Sequence, residues 1–414
     1  MYRNNIKTMQ KLQNIQFGLI IILVLTLPYF IAPAFGLLLS VLIFLLMIIL
    51  NGIDVKTFFK EKTILFLFIF ITLTYVSALW SPASNIFGGN FEVNINAYLN
   101  YFFLIPGIYF SNLSKEKIKL IFTLIILSPV IYVVLYFTNY LDITHIYSYH
   151  YDRVNGNYSL YVDLFANIFL LASSIFLYIK LLKNIIVRNY QKALIIFIPF
   201  SIVSLSLFID ETTVSRLINL SFLVSISFVS LYMSPRRLKL LITFIISILS
   251  ILVILSSDSY NRGITEVQET YQLDKYQGSW GHRIKLAMYG IDMWLENPYF
   301  GRGTVDVVEK MREIKKKHPH DFEDPTVHFH NQHILILVQT GIVGYMAFLL
   351  FIYNLYRLKI KNIEIDLYKR ATIVIFLTVM IGEHYLQMVH TSTFFATLIG
   401  LFLLYKNQEM KLTH

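Results

Sequence analysis

The sequence predicts an all-α fold: a polytopic transmembrane helical bundle of about twelve spans, N-in and C-in, with one long helical loop on the outer side. Three observations lead there. The composition is 56% hydrophobic with only 14% charged residues, and the mean hydropathy is +0.60, whereas soluble proteins carry about 25% charged residues. Apolar stretches long enough to cross a bilayer recur along most of the chain. Lys and Arg concentrate in alternate connections.

Spans are expected at 15–33, 34–51, 63–80, 98–112, 117–138, 157–179, 193–210, 212–232, 238–256, 333–355, 371–387 and 391–405. Pro28 and Pro33 predict a kink in the first, and Pro106-Gly107 interrupts the fourth. The first apolar run lacks a small-x-small cleavage site and reads as a retained span. With the N-terminus inside, most of the 35 basic residues fall on the inner side, including Lys56, Lys60, Lys62, Lys180, Lys183, Arg357 and Lys359. The short outer connections hold Arg153 alone. The net charge of +10 therefore marks inner loops and is a poor sign of nucleic-acid binding. The chain has no cysteine, which excludes disulfides, thiolate zinc sites, iron–sulfur clusters and Cys nucleophiles.

Spans 1–9 occupy residues 1–256, the long outer loop 257–332, and spans 10–12 residues 333–414. Within the loop, 281–296 reads as an amphipathic helix with Ile284, Met288, Ile291 and Leu295 on one stripe. Asn297-Pro298 stops it and Gly301-Arg302-Gly303 makes a turn. A second helix is expected over 304–317, where Lys315, Lys316 and Lys317 suit the negative pole of the helix dipole.

The polar residues with chemistry gather at outer ends of spans. Five of the eleven histidines lie between His318 and His333, the others of the five being His320, His328 and His330. A zinc site is one reading, but the spacing is not the helical His-Glu-x-x-His pattern. Exposed loop histidines are another. The third is a general base: a neutral imidazole at a membrane boundary takes a proton from a hydroxyl near neutral pH. His330-Asn331 is followed by nine residues and then Gly341-Ile-Val-Gly344, glycines that let a neighbouring helix approach. Arg153, Arg216 and Arg283 form an outer arginine set, and a guanidinium offers two parallel donors to a phosphate or carboxylate. Snorkelling of Arg216 and simple solvation of Arg283 are the plainer alternatives. Asp210 and Glu211 are candidates to pair with Arg216. Glu383, His384 and His390 flank the turn between the last two spans, where internal pairing of Glu383 is expected ahead of substrate contact.

Five stretches resemble the O-antigen ligase family of lipid-linked polysaccharide ligases and polymerases, and they occur in that family's order. They are Ser77-Ala-Leu-Trp80-Ser81-Pro82; Arg153-Val-Asn155-Gly156-Asn157; Thr213-Val-Ser215-Arg216; His282-Arg283 through Glu296-Asn297-Pro298-Tyr-Phe300-Gly301-Arg-Gly303; and His330-Asn331 with Gly341 and Gly344. Leu217 departs from the small residue that commonly follows the Ser-Arg pair. The resemblance implies a twelve-span enzyme of the bacterial inner (cytoplasmic) membrane whose site faces the periplasm. It implies transfer of polysaccharide from undecaprenyl diphosphate to lipid A–core, with membrane lipid as a further partner and no cofactor. His330 is then the catalytic base. Arg216, Arg283 and Arg153 bind the donor diphosphate, with Asn331, His328, Ser215, Gly341 and Gly344 in support. A diphosphate leaves without protonation, so arginines neutralise the charge that develops on it; one such donor is worth about 3–4 kcal/mol. A single base with no second carboxylate implies inversion at the anomeric carbon, and the arginines stand in for a metal. A polymerase of the same superfamily is the first rival, protein O-oligosaccharide transfer a lesser one. A flippase or transporter without catalysis is the rival from another class, although transporters place their sites at mid-membrane.

Overall fold

The structure, a computed structural model of the chain, describes residues 2–27, 33–52, 54–81, 90–140, 159–207, 216–234, 265, 268, 278–318 and 329–411. Every regular element among them is helical: α1 (Tyr2–Thr26), α2 (Pro33–Asn51), α3 (Val55–Lys60), α4 (Lys62–Val76) with a 3-10 turn at Ser77–Trp80, α5 (Asn90–Tyr109), α6 (Lys115–Tyr140), α7 (Ser159–Ile186), α8 (Tyr190–Ser206), α9 (Arg216–Met233), α10 (Gly278–Glu296), α11 (Thr304–Lys317), α12 (Gln332–Arg357), α13 (Ile363–Val379) and α14 (Val389–Lys411). Five helices among the described residues are long and apolar enough to cross a membrane: Thr8–Thr26, Lys62–Trp80, Asn167–Ile186, Gln332–Arg357 and Val389–Lys411. Phe35–Asn51, Tyr190–Ser206 and Leu217–Met233 are shorter apolar helices. This is a helical membrane protein. The span expected at 238–256 lies outside the described residues.

Three boundaries differ from the sequence expectation, each for a local reason. α1 ends at Thr26 and Pro33 opens α2, the first-turn position where proline's missing N–H costs nothing; Pro28 lies outside the described residues. The fourth span is not broken at Pro106-Gly107. α5 runs through both as one helix, a Cβ added at Gly107 would crowd the α2 backbone at Phe44 at 3.3 Å, and Gln16 Nε2 donates to the Gly107 carbonyl at 3.3 Å. The eleventh expected span ends early, as helix α13. It starts at Ile363 because Asn362 caps it, accepting from Glu364 N at 3.0 Å and Ile365 N at 3.2 Å. Its charged first turns are self-paired: Asp366 accepts from Lys369 and from Arg370, both at 2.8 Å. A hydropathy window discards such a segment and shifts the span too far along the chain. Residues 380–388 are consequently turn, not helix.

α14 sits at the centre, buried from Thr391 through Tyr405 on every side. It packs along α5, where Gly400 meets Ile108, and its aromatic neighbours include Phe376 stacked on Phe395. Ion pairs tie together the end of the bundle expected to be cytoplasmic: Lys183 with Glu364 at 2.5 Å and Lys406 with Glu61 at 2.6 Å. The opposite end carries α10 and α11. A separate apolar cluster of Leu286, Met293, Val307, Met311, Phe329, Leu335 and Val338 seats them on the start of α12. Each such side chain contributes about 1.5–3 kcal/mol of burial.

The expected helix over 281–296 is present, but its predicted stripe faces away from this cluster. His282, Leu286, Gly290 and Met293 are buried against α12, whereas Met288, Ile291 and Leu295 are exposed and Ile284 is half-buried. The expected helix over 304–317 occupies those residues and carries its basic last turn.

Candidate active site

Three of the sequence motifs turn out to be parts of one clasp. α12 breaks at Gly341, whose φ of +64° lies in the left-handed region. The break exposes backbone groups that the turn after α10 satisfies from both sides. Arg302 N donates to Val338 O at 2.8 Å and Gly303 N to Gln339 O at 3.1 Å. In return Ile342 N donates to Pro298 O at 2.9 Å and Val343 N to Tyr299 O at 3.2 Å. A Cβ on Gly341 would stand 2.2 Å from the Tyr299 carbonyl oxygen, so only glycine admits this approach. The far side of the clasp is the end of α4. Ser77 Oγ and Thr304 Oγ1 are 2.7 Å apart, and Thr304 Oγ1 donates to Thr74 O at 2.7 Å. Arg302 joins Glu296 to Asp306, making its Asp306 bond at 2.6 Å.

This corrects the expectation for the two signature glycines. Gly341 admits a loop rather than a helix. Gly344 makes room for Thr340 of its own helix, whose Oγ1 would lie 2.0 Å from an added Cβ.

The clasp fixes the start of α12, and with it His330. Asn331 is the N-cap, its Oδ1 accepting from Ile334 N at 3.1 Å. His330 just before it has φ +48°, a left-handed conformation costing a non-glycine residue about 1–2 kcal/mol. Gln332 locks the facing turn: its N–H donates to Met380 O at 2.9 Å, and its Oε1 accepts from Leu386 N at 3.0 Å. That turn presents Glu383.

His330 Nδ1 donates to Glu383 Oε2 at 2.8 Å. The other carboxylate oxygen, Oε1, accepts from His384 Nδ1 at 2.6 Å and from the His384 backbone N–H at 3.1 Å. Burial acts to raise the Glu383 pKa; the hydrogen bonds from His330 and His384 and the charges of both rings overcome it and hold the carboxyl well below the usual range. A carboxylate on Nδ1 selects the tautomer in which Nε2 carries the lone pair, the arrangement a general base needs. No sequence pattern pairs Glu383 with His330; the available signal was that both flank the outer ends of the last three spans.

Arg283 arrives from α10. The ring of its neighbour His282 is 6.3 Å from that of His330, and the Arg283 charge acts on buried Tyr385 beside Glu383. Arg216 is the first residue of α9. The next residue, Leu217, rests on Gly382, where an added Cβ would lie 2.5 Å from Leu217 Cδ2. The α9 terminus thus meets the turn carrying Glu383. The large residue that departs from the family pattern is accommodated by a glycine opposite. Arg153, Ser215, His328, Asp210 and Glu211 lie outside the described residues.

Of the histidine cluster, His318, His330 and His333 are described and do not form one centre, and His320, like His328, lies outside the described residues. His318 is exposed beside Tyr289, while His333 hydrogen-bonds Leu377 O at 3.4 Å and Tyr345 at 3.3 Å. His390 is half-buried in the first turn of α14. Among the described residues no group of three or more His, Asp or Glu is placed to hold a metal ion; His330 and His384 spend their Nδ1 atoms on Glu383 itself.

Residues 200–349 match the family model described as O-Antigen ligase. That span takes in α9, α10, α11, His330 and the clasp except for its α4 side, and it stops short of Glu383. The comparison with curated proteins returns no match.

Proposed function

We propose that this chain, a member of the O-antigen ligase family, transfers a polysaccharide from undecaprenyl diphosphate to lipid A–core at the outer end of its bundle, with His330 as general base. The observation that carries the reading is the His330–Glu383 pair, with Glu383 in a turn that Leu217 of α9 rests on and His330 beside His282 of α10. The acceptor hydroxyl attacks the anomeric carbon as the bond from that carbon to the diphosphate oxygen breaks. Its proton passes to His330 Nε2, and Glu383 stabilises the imidazolium that results. The electron pair leaves with the diphosphate, whose charge Arg216 and Arg283 neutralise, with Arg153 as the third donor of the set. One displacement at one face inverts the anomeric configuration and needs no metal. With the lysine-rich end taken as cytoplasmic, the His330–Glu383 pair faces the periplasm of a bacterial inner membrane in this reading.

Purified protein with lipid-linked donor and core acceptor tests the reading. His330→Ala should lose transfer by roughly 10²–10⁴, the contribution of a positioned base, while still inserting in membranes. Transfer at the wild-type rate would end it. A deletion strain separates ligase from polymerase. Loss of a ligase strands long chains on the lipid carrier, whereas loss of a polymerase leaves core bearing one repeat unit. Retained configuration in the product would exclude the single displacement.

A further inference from the structure

We propose that α10 lies in the plane of the membrane surface, its outward apolar face immersed in the outer leaflet, so that lipid acyl chains are its partner. The helix has three sectors at 100° per residue. His282, Leu286, Gly290 and Met293 face the protein. Lys285, Asp292 and Glu296 share a second side, with Asp292 and Glu296 exposed. Met288 and Ile291, each 45% exposed, and Leu295, 60% exposed, make the third. A helix merely covered with water would not need that third sector, and its neighbour supplies the contrast. On α11 the exposed positions are Glu309, Arg312, Glu313, Lys316 and Lys317, all charged. Two helices of one outer unit therefore meet different solvents.

The apolar surface is also continuous with that of the spans. It passes into Tyr299 and Phe300, 70% and 61% exposed. The Phe300 ring lies 6.4 Å from that of Trp80, at the end of α4, and aromatic residues of this kind collect at membrane–water boundaries. The Pro298 and Tyr299 carbonyls bind Ile342 and Val343, which with Met346 are exposed apolar residues of α12, a helix long enough to span. An amphipathic helix with a protein face, a polar face and a lipid face is suited to the interfacial plane. Arg283, on the α10 surface between the buried sector and Trp294, is thereby set at the depth of lipid headgroups.

The absence of cysteine makes the test direct. Met288→Cys, Ile291→Cys and Leu295→Cys, with Asp292→Cys and Glu309→Cys for contrast, are labelled in the full chain with an environment-sensitive fluorophore. Each is reconstituted in phosphatidylethanolamine–phosphatidylglycerol vesicles. The three stripe labels should emit at shorter wavelength and be quenched several-fold more by nitroxide-bearing lipid than the labels at 292 and 309, which aqueous iodide should quench instead. Iodide quenching along the stripe would overturn the proposal. So would protection from both quenchers, which would mark a protein partner such as a second copy of the chain. No transfer activity enters the readout, so the result stands apart from the proposed reaction.

Discussion

Two carboxylates, Asp366 near the lysine-rich end and Glu383 at the opposite end, each accept from two basic side chains of their own chain. Asp366 binds Lys369 and Arg370, both at 2.8 Å. Lys369 is fully buried and also donates to Leu358 O, and Arg370 lies over the Tyr356 ring at 4.5 Å. Those cations are consumed in fixing the start of α13. Glu383 binds His330 and His384, whose rings each carry a second nitrogen, Nε2, that holds the lone pair when Nδ1 donates to a carboxylate. A buried ion pair is a staple when its partner's proton never leaves, and a machine part when its partner can exchange one.

Neutralising each carboxylate should separate the two roles. Glu383→Gln keeps the shape and removes the charge, so kcat should fall by up to the roughly 10²–10⁴ that a positioned base supplies, with KM little changed. Asp366→Asn should leave kcat/KM of the folded protein alone and cost about 3–5 kcal/mol of stability, because Lys369 is left buried without its counter-charge. Steady-state kinetics and thermal unfolding in detergent read the two. The pH dependence has a definite sign. With its folded pKa held well below the ordinary 4.5, Glu383 adds stability that is present above pH 4.5 and lost as pH falls through the folded value. The stability gap between wild type and Glu383→Gln should therefore be flat at neutral pH and close only below 4.5. Equal kinetic losses in both variants would erase the distinction.

Arginine shape comes next in size. Arg216→Lys and Arg283→Lys keep the charge and lose the fork, and transfer should drop by up to about 10²–10³ in each. Lysine working as well at both positions would reduce the site to simple charge attraction.

Much of this architecture was legible in the sequence, and the failures have physical causes. The bounds of α11 follow from its Gly303 start and basic end, and the start of α12 at Gln332 lies within one residue of the apolar run expected from 333. The packing face of α10, His282, Leu286, Gly290 and Met293, was not legible because a stripe of apolar residues does not say what covers it, and a His and a Gly interrupt the buried face. The turn at 380–388 was hidden because hydropathy carries on through Tyr385 and Leu386, which are buried by tertiary contact rather than by helix. The Glu383 partner of His330 lies 53 residues away, and no local pattern encodes that pairing. The clasp was visible only as separate glycine motifs, because a Gly341 in the left-handed region looks in sequence like any small residue of a span.

That clasp yields a smaller effect. Gly341→Ala forces a left-handed alanine, costing about 1–2 kcal/mol, and drives its methyl into the Tyr299 carbonyl. Unfolding should come earlier in detergent, and because His330 is set by the same helix start, kcat should fall with it. An unchanged melting temperature would mean that the turn and the break in α12 are not one unit.

The smallest expected effect lies between Leu217 and Gly382, and it asks whether the α9 terminus is seated on the Glu383 turn. Gly382→Ala places a methyl where the end of the Leu217 side chain sits, 2.5 Å from Cδ2. The obstacle is the tip of a half-buried, flexible side chain, so overpacking costs near the low end of about 1–3 kcal/mol. Leu217→Ala alone removes packing against that glycine. The two together replace a large-small pair by two alanines of intermediate total volume, and the double variant should be more stable than the sum of the singles by about 1 kcal/mol. Strict additivity would separate α9 from the turn. It would then take Arg216 away from the carboxylate and imidazole it is proposed to serve.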